Sequence, residues 1–165
     1  MSHKILQLGY EYRTTGTYQF TVTDEQDVMF RKYMARRIGE DALPTLENHS
    51  TDAFPLDISM DDIEGDVAAG ISGVIHQDVL IIDMLWVEDD LRGDGIGTRL
   101  VQMAEDIARK RGSICARVRV TDCVPFFVGL GYKITGTVQD VPKNVVSLFG
   151  NAPSRRAVYW LTKEF

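Results

Sequence analysis

Apolar positions along this chain change their period several times, and each change marks an element. In "TYQFTV", Thr17 to Val22, β-branched and aromatic residues alternate with polar ones, the period-2 signature of a half-buried strand. Thr23 with Gln26 three places on forms a capping-box pattern, so the spacing predicts a helix immediately afterwards. Within that helix Phe30, Tyr33, Met34 and Ile38 share one face, while Arg31, Lys32, Arg36 and Arg37 crowd the remainder. The basic run reads as a solvated face, with guidance of an anionic ligand as the functional alternative.

After the irregular "GEDALPTLENHSTDA", strand-like "FPLDISM" and "VAAGISGVI" flank the turn-like "DDIEGD", and "HQD" turns the chain into "VLIIDMLWV". An antiparallel meander is expected. From Thr98 to Arg111 a helical stripe of Leu100, Val101, Ala104, Ile107 and Ala108 follows, with Glu105 and Arg109 spaced as an i,i+4 pair and Gly112 as a stop. "SICARVRV" alternates again, with Ile114, Ala116, Val118 and Val120 on one face and Cys115, Arg117 and Arg119 on the other, so a parallel crossover from the "LWV" strand is implied. "DCVPFFVGLG" reads as a short helix, and "YKITGTV" and "RAVYWLTKEF" as two closing strands. The class is α/β (α+β), with strands and helices mixed along one chain.

Composition narrows the partners. With 165 residues, 44% of them hydrophobic, residues 1–165 fit a single domain. A formal net charge of -6 argues against a broad footprint for nucleic acid or an anionic membrane, and favours a cationic or neutral small partner. Cys115 and Cys123 share no ligand-like spacing with His3, His49 or His76, so no metal is expected. The N-terminal apolar run is too short for a signal peptide, and no stretch approaches the roughly 20 apolar residues of a membrane span. A cytoplasmic protein is the expectation.

Candidate chemistry enters at "LRGDGIG", Leu91 to Gly97, between the "LWV" strand and the helix. A strand, a glycine loop and a helix N-terminus together make an anion site, because open backbone N–H groups and the positive end of the helix dipole converge there. Gly97 is followed by Thr98 and Arg99 rather than Lys and Ser/Thr, which excludes a Walker loop. The spacing Gly93, Gly95, Gly97 also fails the G-x-G-x-x-G dinucleotide pattern.

Arg92, Gly95 and Gly97 instead match R/Q-x-x-G-x-G/A, and "PFFVGLGYKITG" about thirty residues later is similar to an "FYxxLGF" segment; together they resemble the GNAT superfamily of N-acetyltransferases. The resemblance is best from Leu80 to Gly136; residues 1–16, a candidate extension, and "DVPKNVVSLFGNAPSR" have no clear counterpart. It implies a GNAT-like fold: a mixed central sheet with an antiparallel N-terminal meander, a strand–pyrophosphate loop–helix core and flanking helices. It also implies acetyl-coenzyme A (acetyl-CoA) as donor. By that resemblance the backbone of Leu85, Trp86 and Val87 bonds the pantetheine arm, the Val87 amide stabilises the oxyanion, and the amides from Arg92 through Gly93, Asp94, Gly95, Ile96 and Gly97 to Thr98 hold the pyrophosphate. Asp94 departs from the family's usual polar or basic residue, so its charge is expected to face solvent.

Asp83 shares simple strand parity with Leu85 and Val87 and is the candidate base; a salt-bridged structural carboxylate is the alternative, and Glu88 and Asp89 lie nearer the loop. The family's usual acid, the tyrosine of "FYxxLGF", is Phe127 here. Tyr132 and Tyr159 are substitutes by type, with core packing as the alternative for each, and Cys123 reads as a small core residue. Phe126 and Phe127 pack against either the pantetheine arm or the core, and Trp86, of opposite parity to Leu85, is expected under a helix. The long loop at 141–155 is a candidate for shaping the acceptor site or a subunit contact, as in a homodimer. The expected activity is transfer of acetyl from acetyl-CoA to a primary amine of a small molecule or peptide. The alternative is a sensor or carrier that binds acetyl-CoA with little turnover.

Overall fold

The computed structural model describes residues 6–11, 17–39, 52–138 and 157–165, and side chains from residue 17 onward. The 141–155 loop and most of the 1–16 segment lie outside the described residues. Eight strands form one sheet: β1 (Leu6–Glu11), β2 (Thr17–Thr23), β3 (Ala53–Asp61), β4 (Val67–His76), β5 (Val79–Val87), β6 (Cys115–Val120), β7 (Lys133–Val138) and β8 (Val158–Glu164). Their spatial order is β1-β2-β3-β4-β5-β6-β8-β7. The meander from β2 to β5 is antiparallel, β5 and β6 pair in parallel, and β8 inserts antiparallel between β6 and β7. Three helices are described, α1 (Val28–Ile38), α2 (Ile96–Lys110) and α3 (Val124–Gly129). No described helix is long and apolar enough to cross a membrane.

Strand alternation sends β3 side chains to two unlike faces. Leu56, Ile58 and Met60 join the main core, where α2 contributes Ile96, Leu100, Val101, Met103, Ala104 and Ala108. Asp57 points the other way, toward α1, where Phe30, Met34 and Ala35 form a smaller cluster with Met84 and Trp86. β4 between them is buried along nearly its whole length, as expected of a strand covered on both faces. Gly70 is part of that fit: a Cβ there would lie 2.5 Å from the Phe30 ring, so a side chain at this position would lift α1 off the sheet.

Two expectations for α1 are corrected. Its N-cap is Asp27, whose side chain accepts from the Phe30 N–H at 3.0 Å, so the helix is capped four residues later than the Thr23–Gln26 pattern would place it. Arg31 does not belong to a solvated face: it is 2% exposed, whereas the expected core residue Ile38 is 37% exposed. A guanidinium can enter the interior where carboxylates and a carbonyl await it, and this helix meets both. Ile114 likewise departs from its expected inward face and is exposed, because β6 begins only at Cys115.

Candidate active site

The glycine loop starts where β5 ends. β5 and β6 pair from Val79↔Cys115 to Ile82↔Val118 and no further, so beyond Ile82 the two parallel strands diverge. Residues Met84 to Val87 retain pairing with β4 on one edge and present their other edge to the opening. A single 3-10 turn, Asp89–Leu91, then leads to Arg92, whose Nε donates to the Val87 carbonyl at 3.0 Å and whose guanidinium pairs with Asp89 at 2.8 Å. The arginine ties the loop back to the strand end.

Gly93 (φ 89°) and Gly95 (φ 81°) are both left-handed, and Gly95 is the N-cap of α2. That conformation is why glycine stands there: a Cβ on either would meet nothing within 4 Å, so dihedral strain, not crowding, excludes other residues. A glycine cap has no side chain to offer, and no side-chain hydrogen bond caps α2. Its first backbone N–H groups therefore remain for an anion. Asp94 is exposed, as its charge requires at a helix start facing anions. Ile96 is 1% exposed and anchors the first turn in the core, leaving only its backbone for a ligand; Thr98 is half-buried beside it.

Gly97 serves differently. A Cβ there would stand 3.4 Å from the Phe126 ring and 3.8 Å from the Val87 side chain, so the start of α2 rests against α3 and the end of β5. Phe126 and Phe127, left equivalent by periodicity, are separated by packing. Phe126 is half-buried beside Gly97, whereas Phe127 is 2% exposed and stacks edge-on against Tyr132 with centroids 5.2 Å apart. The Tyr132 hydroxyl donates to the buried Glu105 carboxylate at 2.9 Å, and Lys163 reaches the other Glu105 oxygen at 2.7 Å. Burial and the neighbouring Glu105 charge push the Tyr132 hydroxyl far above its ordinary pKa, and its hydrogen bond ends inside the core. Tyr159 is half-buried against the same core, and Cys123 is exposed just ahead of α3.

Simple parity misplaces Asp83. The β4–β5 register passes from Ser72↔Met84 to Gly73↔Ile82, so Asp83 is the extra residue of a β-bulge. Leu80 and Ile82, before the bulge, lie in the α2-side core; after it Leu85 and Val87 pack on that side, while Met84 and Trp86 turn to α1. Asp83 itself faces α1, with its carboxylate 3.7 Å from the Arg31 guanidinium. Trp86 lies under α1 as expected, edge-on to Tyr33 at 5.8 Å, with the Arg37 guanidinium 4.8 Å from its ring and paired to Glu88 at 2.7 Å.

The α1 side holds the features that periodicity could not show. A cavity of about 490 Å³ is lined by Asp27, Asp57, Asp61, Ser59, Thr21 and Tyr33, among others. A second, of about 430 Å³, shares Tyr33 and Val67 with it and adds Asp62, Asp66, Glu88 and Asp90 at the end of β5. Desolvation raises the Asp61 pKa against the lowering effect of the Ser59 and Thr21 hydroxyls, and desolvation also outweighs Arg31 at Asp57. Among the described residues no cluster of three or more His, Cys, Asp or Glu side chains is arranged to hold a metal ion.

A split parallel strand pair and a left-handed glycine cap on the following helix set an open strand edge beside open helix N–H groups. The chain belongs to the acetyltransferase (GNAT) family, whose model matches residues 19–132. The family's donor is acetyl-CoA. Blasticidin-S acetyltransferase of Streptomyces morookaense is 34% identical over 86 residues, 50% of this chain and 63% of that protein, so less than two thirds of the relative is spanned. Acetyltransferase Atu2258 of Agrobacterium fabrum is 27% identical over 117 residues, 70% of this chain and 77% of that protein. Among solved structures, the ribosomal-protein-S18-alanine N-acetyltransferase from Escherichia coli superposes with a TM-score of 0.65 at 14% identity, covering 88% of this chain and 93% of that one, a likeness of fold.

Proposed function

We propose that this protein transfers the acetyl group of acetyl-CoA to a primary amine of a cationic small molecule or peptide. The donor half rests on the uncapped start of α2 at Gly95, where backbone N–H groups suit a pyrophosphate, and on the edge of β5 left open beyond Ile82, which suits an extended pantetheine arm. Because the chain carries a net charge of -6, long-range attraction cannot gather a polyanionic donor; local amides must supply the affinity. The acceptor half rests on the two adjoining cavities, whose carboxylates include Asp61, Asp62, Asp66 and Asp90. An anionic groove attracts an ammonium and disfavours a second anion.

Acetyl transfer needs a neutral amine, a stabilised oxyanion and a departing thiolate. The Val87 amide, on the strand edge that β6 leaves at the split, is the proposed oxyanion donor. Asp83 is the proposed base: it occupies the bulge immediately before that segment, and its ion pair with Arg31 holds the carboxylate in place. A thiolate leaves readily at neutral pH, so no strong acid is required, consistent with a Phe127 ring packed in the core. The 141–155 loop stays in this proposal as a candidate for shaping the acceptor site, with a homodimer contact as its alternative role.

Thiol release with a panel of amines tests the reading: polyamines and aminated cations should turn over faster than neutral or anionic amines. Donor binding without thiol release from any amine would make the protein an acetyl-CoA carrier instead. For the base, Asp83→Asn is expected to lower kcat/KM by roughly 10²–10⁴ and to flatten the acidic limb of the pH profile. Wild-type turnover across pH would leave Asp83 a structural partner of Arg31, with Glu88 next in line.

A further inference from the structure

The fourth residue of α1 is basic yet 2% exposed, and the sheet beneath offers it carboxylate and carbonyl oxygens. Arg31 donates from Nε to Asp57 at 3.1 Å, pairs through the same carboxylate at 2.8 Å, and stands 3.7 Å from Asp83. Its remaining contact is the informative one: Nη2 donates to the Gly73 carbonyl at 2.8 Å. Gly73 is the β4 residue at which the register shifts, and a Cβ on it would collide with the Ile81 carbonyl of β5, so the strand pair admits no side chain there. One guanidinium from α1 thus grips both strands of the bulge, Gly73 on β4 and Asp83 on β5, and braces them against Asp57 on β3.

We propose that Arg31 is a positioning residue: by joining Asp57, Asp83 and the Gly73 carbonyl, it locks the β4–β5 bulge and so fixes which face of β5 Leu85 and Val87 present to the donor. The inference rests on the proposed donor site. Its physical basis is the period of a strand, since loss of the extra residue from the bulge would reverse every side chain after it and turn Leu85 and Val87 toward α1. Hydrophobic preference alone does not decide the matter. Met84, Leu85, Trp86 and Val87 are all apolar, so either face assignment buries two of them. A buried ionic contact that only one register can make supplies the missing specificity, as buried polar groups do in other register choices. Arginine suits the task because its planar fork donates to a carboxylate and a carbonyl at once, which an ammonium on a flexible stem does less well.

The test uses Arg31→Lys and Arg31→Met in the full chain, with Ile58→Val, in the α2-side core, as a control that lowers stability without touching the bulge. Coenzyme A affinity by calorimetry and amide hydrogen exchange from Gly73 and from Ile81 to Met84 are both read. Arg31→Met leaves Asp57 and Asp83 buried without their cation and is expected to unfold easily. Arg31→Lys keeps the charge and is expected to fold, to bind coenzyme A roughly tenfold more weakly, in keeping with indirect coupling of a little over 1 kcal/mol, and to exchange faster at those amides. Ile58→Val should lower the melting temperature with both readouts unchanged. Arg31→Lys with unaltered affinity and unaltered exchange overturns the proposal, as does an equal loss of affinity in Ile58→Val. If the unaltered protein fails to bind coenzyme A, the donor reading falls, while the exchange arm still decides whether Arg31 locks the bulge.

Discussion

The two faces of the sheet solve opposite problems. On the α2 face the side chains are apolar and the candidate site is made of backbone: Gly95 and Gly97 contribute by having no side chain, Ile96 contributes an anchor, and Val87 an amide. On the α1 face the site is made of side chains, with Asp57, Asp61, Ser59 and Thr21 rising from alternate positions of β2 and β3 where a core face would carry valine or leucine. Each holds buried charge. Glu105 on α2 is held by Tyr132 and Lys163, whereas Arg31 on α1 is held by Asp57, itself buried, and Asp83. The first braces the core behind Phe127; the second reaches the strand that the donor would touch. A backbone site suits a donor of fixed chemistry, and a side-chain site suits an acceptor that varies between relatives.

The strongest way to break this comparison is at the cap. Gly95→Val places a β-branched residue at φ 81°, a conformation that costs on the order of 1–3 kcal/mol, and projects a side chain where phosphate oxygens are proposed to sit. Coenzyme A affinity should fall roughly a hundredfold, about the loss of one or two charge-assisted hydrogen bonds, and melting should drop by several degrees. Full affinity in this variant would dissociate the glycine loop from donor binding.

The acidic face makes an opposite prediction for stability. Burial raises the Asp61 pKa, so the folded protein holds that proton more tightly than the unfolded chain. Its stabilising contribution is complete below the ordinary carboxylate pKa and is lost as pH rises through the raised value, leaving the ionised group costly at neutral pH. Asp61→Asn should therefore raise the melting temperature at pH 7, with the gain vanishing in acid, while the acceptor KM rises and coenzyme A affinity is unchanged. An unaltered KM for every cationic amine would remove Asp61 from acceptor recognition. A lowered melting temperature at pH 7 would contradict the desolvation account.

The smallest effect on turnover is expected in the core behind Phe127. Tyr132→Phe deletes only the hydroxyl that Glu105 accepts, costing about 1–3 kcal/mol and a few degrees of melting temperature, with kcat within about twofold. Tyr159→Phe should be milder still. If either variant abolishes kcat while coenzyme A still binds, that tyrosine protonates the leaving sulfur and the acid-free reaction is wrong.

The sequence by itself determined the order of elements from β2 onward, the antiparallel meander, the parallel crossover into β6 and the glycine loop at the start of α2, but not β1, which lies in the segment read as an extension. Each of these depends on local period or on a residue, glycine, whose backbone freedom is its meaning wherever it occurs. Tertiary structure alone decided the rest. Arg31 reads as surface in a run of basic residues because helical spacing reports only its own helix, and nothing in that spacing discloses a carbonyl and two carboxylates on three different strands. Asp83 reads as sharing a face with Leu85 because alternation holds only while the register holds, and a bulge is a property of two paired strands rather than of one. Phe126 and Phe127 are adjacent and chemically identical, so only the neighbours brought by α2 and Tyr132 could place one beside Gly97 and the other in the core.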